Sequence, residues 1–233
     1  MKASLKAALA CYLLTVASLD AAIWNHFLVP QKTFDPSNAF FSFNDTSACA
    51  CKSKCMVLPA CTGWTAVAMN TTEPQCLLTS GNPRSIGLAP SSNAIYGFVF
   101  REDAIPGVIS AEKGHDGLAY HVPPNMMTIE PAREYCESIP GFRLAIFRTF
   151  QQIEDGKQMA IKASSNTDGL LLIDLQSTAG SLLWGDGSLF PSLFSSLTSD
   201  TSKPNIVISR TVIGSKNQKR HILCQGRSGN QLW

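Results

Sequence analysis

The stretch Met127-Thr128-Ile129-Glu130-Pro131-Ala132-Arg133-Glu134-Tyr135-Cys136 decides the fold of this chain, because it reads as the opening of a helix that carries a cysteine on its apolar face. Thr128 stands at a capping position, and Pro131 is tolerated in the first turn, where its missing N–H has no helical partner to lose. Ala132, Cys136 and Ile139 recur on one face, and Pro140-Gly141 ends the helix. Downstream, Arg143 to Phe147 reads as a buried strand or its edge. Thr149-Phe150-Gln151-Gln152 has the capping-box pattern and predicts a second helix through about Lys162. Gly169 to Leu175 is an apolar run fit for a core strand, broken at Thr178-Ala179-Gly180 before Leu182-Leu183-Trp184. In Trp184-Gly185-Asp186-Gly187-Ser188 we expect a turn, with Gly187 at positive φ and Trp184 packed in the core. Asn205 to Ile213 and His221 to Gln225 supply further strands, and Cys224 lies on the last of them.

Over residues 115–226 this order resembles the C-type lectin-like fold. The resemblance rests on Ala132 to Cys136, the Leu144-Ala145-Ile146 strand, a degenerate Trp-Ile-Gly-Leu counterpart at Leu170 to Ile173, the Trp184-Gly185-Asp186-Gly187 turn and Cys224. It implies a Cys136–Cys224 disulfide, which on the chain-entropy model contributes roughly 4 to 5 kcal/mol. The chain departs from the family where sugar binders hold calcium. The Glu-Pro-Asn or Gln-Pro-Asp motif has as its nearest counterpart Lys203-Pro204-Asn205, and an ammonium is adverse where a hard dication needs oxygens. The Trp-Asn-Asp motif is replaced by Gly214-Ser215-Lys216-Asn217-Gln218-Lys219-Arg220, and no cysteine stands between Cys136 and Cys224 to form the family's inner disulfide. No calcium is therefore expected at the usual sugar site. Lys216, Lys219 and Arg220 read as a solvated loop. Together with Lys203 and Asn205 they are also the candidate surface facing an acidic glycan or protein.

The upstream half has its own cysteine group: Cys49, Cys51, Cys55, Cys61 and Cys76. Thr46 or Ser47 can cap a short helix on which Cys51 and Cys55, at i and i+4, share a face. Thr62 to Met69, Gln75 to Leu78 and Ala94 to Phe100 read as strands. Over residues 24–102, Cys-x3-Cys-x5-Cys followed by Trp64, Cys76-Leu77-Leu78 and the late aromatic strand at Tyr96 is similar to the PAN/apple module. That resemblance implies Cys51–Cys76 and Cys55–Cys61. Cys49 is then left over. About 200° around the helix from Cys51, it is either unpaired or bonded to another chain as a covalent dimer, or else a buried thiol just ahead of the helix.

Lys2 and Lys6 precede an apolar stretch from Ala7 to Val16 and small residues at Ala17, Ser18 and Ala21, which reads as a cleaved signal over residues 1–21. Its apolar core is shorter than the about 20 residues that span a bilayer. Setting Cys11 aside with it leaves seven of the 8 cysteines in an oxidising compartment. Asn44 and Asn70 head Asn-x-Thr glycosylation patterns. The expected order is the PAN/apple-like unit at 24–102, a linker at 103–114, the lectin-like unit at 115–226 and a tail at 227–233. The fold class is thus α+β: a small disulfide-stapled helix-on-sheet unit, then a mixed unit with two helices and antiparallel strands.

A net charge of +2 and a charged fraction of 15% give no field to attract nucleic acid. His26, His115, His121 and His221 are scattered without metal-ligand spacing, and no Gly-x-Ser-x-Gly elbow or phosphate-binding loop occurs. His115-Asp116 beside many serines is a weak candidate for a hydrolytic triad. The expectation is a secreted recognition or adhesion protein, not an enzyme, that uses no cofactor or metal and takes an extracellular protein or glycan as partner. The alternatives are a calcium-dependent lectin with a diverged site and a disulfide-linked structural or venom-like component.

Overall fold

The computed structural model describes residues 25–69, 73–101, 109–163, 171–178, 181–190, 205–208, 213–214 and 219–227. The chain is α+β and divides between Ser110 and Ala111 into two compact units. The expected signal and the C-terminal tail beyond Arg227 lie outside the described residues, as do Asn70, Lys203 and Lys216.

The first unit contains β1 (Asn25–Phe34), β2 (Phe41–Asn44), helix α1 (Ala48–Val57), β3 (Gly63–Val67), β4 (Gln75–Thr79), β5 (Leu88–Arg101) and β6 (Ile109–Ser110). Its sheet runs β1-β5-β3-β4-β2 with antiparallel neighbours, and β6 joins β5 in parallel. Sheet alternation sends Trp64, Ala66, Cys76, Leu78 and Val99 to the helix side, where they pack with Cys51 and Cys55 of α1. Two disulfides fasten that helix: Cys51 to Cys76 of β4, and Cys55 to Cys61 just ahead of β3. Aromatic residues form another group, in which Phe27 and Phe98 stack at 5.2 Å, Tyr96 and Phe98 at 5.9 Å, and Phe34 meets the edge of Tyr96 at 6.0 Å. Gly97 is required beneath the indole, since a Cβ there would lie 2.5 Å from Trp64 Cε2.

Two expectations change in this unit and at its boundary with the next. Cys49 lies within the first turn of α1, half-buried and disulfide-bonded, so it is neither an unpaired thiol nor a residue ahead of the helix. The expected linker is also structured from residue 109 onward, as β6 and then β7 (Glu112–Lys113). Two-residue strands carry no alternation to read.

The second unit runs through β7, β8 (Ala119–His121), α2 (Ile129–Glu137), β9 (Phe142–Leu144), α3 (Phe150–Ala163), β10 (Leu171–Thr178), β11 (Ser181–Trp184), β12 (Asn205–Ile208), β13 (Ile213–Gly214), β14 (His221–Ile222) and β15 (Cys224–Gly226). One sheet orders β7-β8-β15-β9. The other orders β11-β10-β12-β13, with β14 parallel to β10. Ala145 joins the two sheets: its N–H donates to Leu223 O at 2.8 Å, and its carbonyl accepts from Asp174 N at 2.9 Å. Tyr120, Ile146, Phe147, Ile153, Leu171, Ile173, Leu175, Trp184 and Leu223 fill the core around this junction. The Cys136–Cys224 disulfide ties α2 to β15 across a sequence separation of 88.

Candidate functional site

Three polar constructions in the second unit hold its loops, and each begins with a residue type that burial alone would disfavour. The first is built on Asp174, in the middle of the apolar strand β10 and nearly buried. A lone carboxylate there would be costly, and it is offset by Arg133 of α2, which donates from Nε at 2.9 Å and from Nη2 at 2.6 Å to Oδ1. The same carboxylate covers Gly185, whose N–H donates to the Asp174 carbonyl at 2.7 Å. Glycine is needed because a Cβ at 185 would collide with the carboxylate.

The second is the turn itself. Gly187 N–H donates to Trp184 O at 2.8 Å, Trp184 N–H donates to Ser188 O at 2.9 Å, and Gly187 adopts φ +79°. Asp186 accepts from Ser188 N at 3.0 Å and Ser188 Oγ at 2.6 Å, and from Arg148 Nη2 at 2.8 Å and Arg143 Nη1 at 3.4 Å. Partial burial pushes its pKa up. The Ser188 hydrogen bonds and the two guanidinium charges outweigh this and hold it below the usual carboxylate range. Trp184 is buried, with Phe147 meeting it edge-on at 6.4 Å and Phe190 tilted at 5.4 Å. The turn is thus a structural clasp, as its sequence suggests.

The third lies between the β7–β8 turn and α3. Asp155, only 6% exposed, accepts from His115 Nδ1 at 2.8 Å, from His115 N at 3.0 Å and from Gln151 Nε2 at 2.9 Å. Burial raises the Asp155 pKa, but the Gln151 and His115 hydrogen bonds bring it below the usual range. Beside it, Asp116 accepts from Leu118 N at 2.9 Å, Tyr120 Oη at 2.8 Å and Gln152 Nε2 at 2.8 Å. Gln225 Nε2 donates to Tyr120 Oη at 3.1 Å, and burial pushes the phenol pKa well up. The capping box is reciprocal: Gln152 N–H donates to Thr149 Oγ1 at 3.2 Å, and Thr149 N–H donates to Gln152 Oε1 at 3.3 Å. A cleft of about 500 Å³ opens along this seam, lined by residues that include Lys113, His115, Asp155, Met159 and Lys162.

The residues expected to face a ligand are only partly placed. Asn205 begins β12, and Lys219 is exposed. Arg220 is half-buried and bridges to Met127 through backbone bonds of 2.9 and 3.0 Å, which takes it out of the expected solvated loop. Asn44 is exposed at the end of β2. His115 and Asp155 are 40 residues apart, so no local pattern announces their pairing. His115-Asp116, weighed as a triad fragment, separates in space, with His115 oriented by Asp155 while Asp116 braces Tyr120 and Gln152. Among the described residues no group of three or more His, Cys, Asp or Glu side chains is placed to hold a metal ion.

No family model and no curated protein sequence matches the chain. Solved structures to which part of this chain is similar include the following three. The C-type lectin domain of murine dendritic cell inhibitory receptor 2, solved in complex with N-glycan, is 15% identical with a TM-score of 0.38, the match covering 48% of this chain and 91% of that one. Human lithostathine is 16% identical at TM-score 0.39, over 51% of this chain and 97% of its own. The trimeric Kupffer cell C-type lectin receptor Clec4f is 16% identical at TM-score 0.39, over 52% and 85%. At these values the reading of the second unit rests on its own elements, its disulfide and its Trp184 turn.

Proposed function

We propose that this chain is a secreted recognition protein, a PAN/apple-like unit followed by a C-type lectin-like unit, which binds an extracellular protein or carbohydrate ligand without calcium at the usual sugar site. One observation carries the reading: α2 is clamped to the terminal strand by Cys136–Cys224, while the Trp184 turn is locked by Asp174 and Asp186. Such a frame suits loops that vary in sequence and bind while the scaffold stays fixed. The disulfides support an oxidising compartment. No helix among the described residues is long and apolar enough to cross a membrane. The calcium-free part of the proposal rests on Lys203-Pro204-Asn205 and on Lys216 and Lys219, which offer ammonium groups where a hard cation needs oxygens. The first unit, with α1 stapled to β4 and to the segment just ahead of β3, supports the PAN/apple-like half.

The experiment is to secrete the full disulfide-intact chain and screen it against broad panels of glycans and extracellular proteins. Saturable binding to at least one class supports the proposal. Silence on both panels overturns it.

A further inference from the structure

We propose that the cleft between the β7–β8 turn and α3 is a binding site for a carboxylated monosaccharide unit, such as the hexuronate of an acidic glycan. The inference rests on the recognition reading above but uses a surface made entirely of described residues.

The charges in the cleft are unequally committed. Glu112 is held by Lys162, its Oε1 lying 2.9 Å from Nζ, and Asp155 is held by His115 and Gln151. Both carboxylates of the cleft are therefore occupied within the protein. Lys113 is exposed and has no carboxylate partner among the described residues, so one ammonium remains for an anionic ligand.

His115 has the features of a presented, oriented group. Its side chain is 78% exposed, yet its position is fixed by two bonds to a carboxylate that is 6% exposed. The Asp155 carboxylate accepts from Nδ1, so Nε2 is the ring nitrogen left to hydrogen-bond a sugar hydroxyl. Met159 and Ile161 supply apolar lining for the nonpolar face of a pyranose ring. A volume of about 500 Å³ falls within the range of roughly 300 to 1,000 Å³ usual for small-molecule sites. An ammonium, a fixed imidazole and an apolar wall together match a ring bearing both hydroxyls and one carboxylate.

The test follows the backbone amides of Gly114, His115 and Gln158 by NMR in the full chain during titration with glucuronate, with glucose and acetate as controls. Glucuronate should shift these amides saturably and bind more tightly than either control. Lys113→Ala and His115→Gln should each weaken it about tenfold or more, the loss expected for one charge-assisted or oriented hydrogen bond. Unchanged thermal unfolding midpoints would show that the variants fold. Glucose binding equal to glucuronate would overturn the ammonium's role, and acetate binding equal to it would overturn the sugar assignment. Wild-type affinity in both variants, or no shifts at all, would overturn the site. Glycan binding elsewhere that survives both substitutions would leave the recognition reading standing and sink this inference alone.

Discussion

Asp174 sits directly over Gly185, its carboxylate occupying the space that a side chain at 185 would need while Arg133 holds it through Oδ1. A helix, a core strand and the Trp184 turn meet at this one contact. Gly185→Ala must push the carboxylate off Arg133 and is expected to destabilise the second unit by roughly 3 kcal/mol. Chemical denaturation of the variant, followed by Trp fluorescence, measures the loss.

Asp174→Asn keeps the shape and removes the charge, leaving a half-buried guanidinium with a neutral partner. The expected cost is about 3 kcal/mol. Pairing it with Arg133→Met should recover a good part of that, because the uncompensated charge goes too. A double-mutant cycle on unfolding free energies gives the coupling.

His26 makes the first unit sensitive to acid. Burial, with a smaller contribution from the Lys52 charge, lowers its pKa to about 3, and Trp64 Nε1 donates to its Nδ1 at 3.3 Å. The folded state thus holds the neutral imidazole, while the unfolded chain takes up a proton near pH 6.5. Stability from this group is complete above about pH 6.5 and falls as pH drops toward 3, reaching a loss of roughly 2 kcal/mol by pH 5. His26→Gln should flatten that slope in a pH series of unfolding midpoints.

The disulfides should rank by the loop each closes. Replacing Cys136 and Cys224 together with Ser removes a link spanning 88 positions and should cost about 4 to 5 kcal/mol. Removing Cys55–Cys61, which spans 6, should cost about 2 kcal/mol. Equal losses in calorimetry would show that native-state strain, not loop entropy, sets their worth.

Much of this architecture is legible in the chain. The Thr149/Gln152 box, the apolar run of β10 and the helix bearing Cys136 are local signals with local causes, and the structure places each where the residues direct. The three expected disulfides form, though their pairing came from family resemblance and not from spacing. The strand β1 escaped reading because Pro30 interrupts it. The structure absorbs the proline at a register shift between Pro30 and Lys32, with Gln31 at φ +57°. β2 is four residues long and too short to announce itself. The partners Arg133–Asp174 and His115–Asp155, 41 and 40 residues apart, are tertiary facts that no window along the chain contains.

The central claim, recognition without calcium at the usual sugar site, is tested most directly by repeating whatever ligand binding the protein shows in calcium and again in excess chelator. The account predicts unchanged affinity under chelation. Binding abolished by the chelator and restored by calcium would contradict it and return Lys203-Pro204-Asn205 to the role of a working metal site.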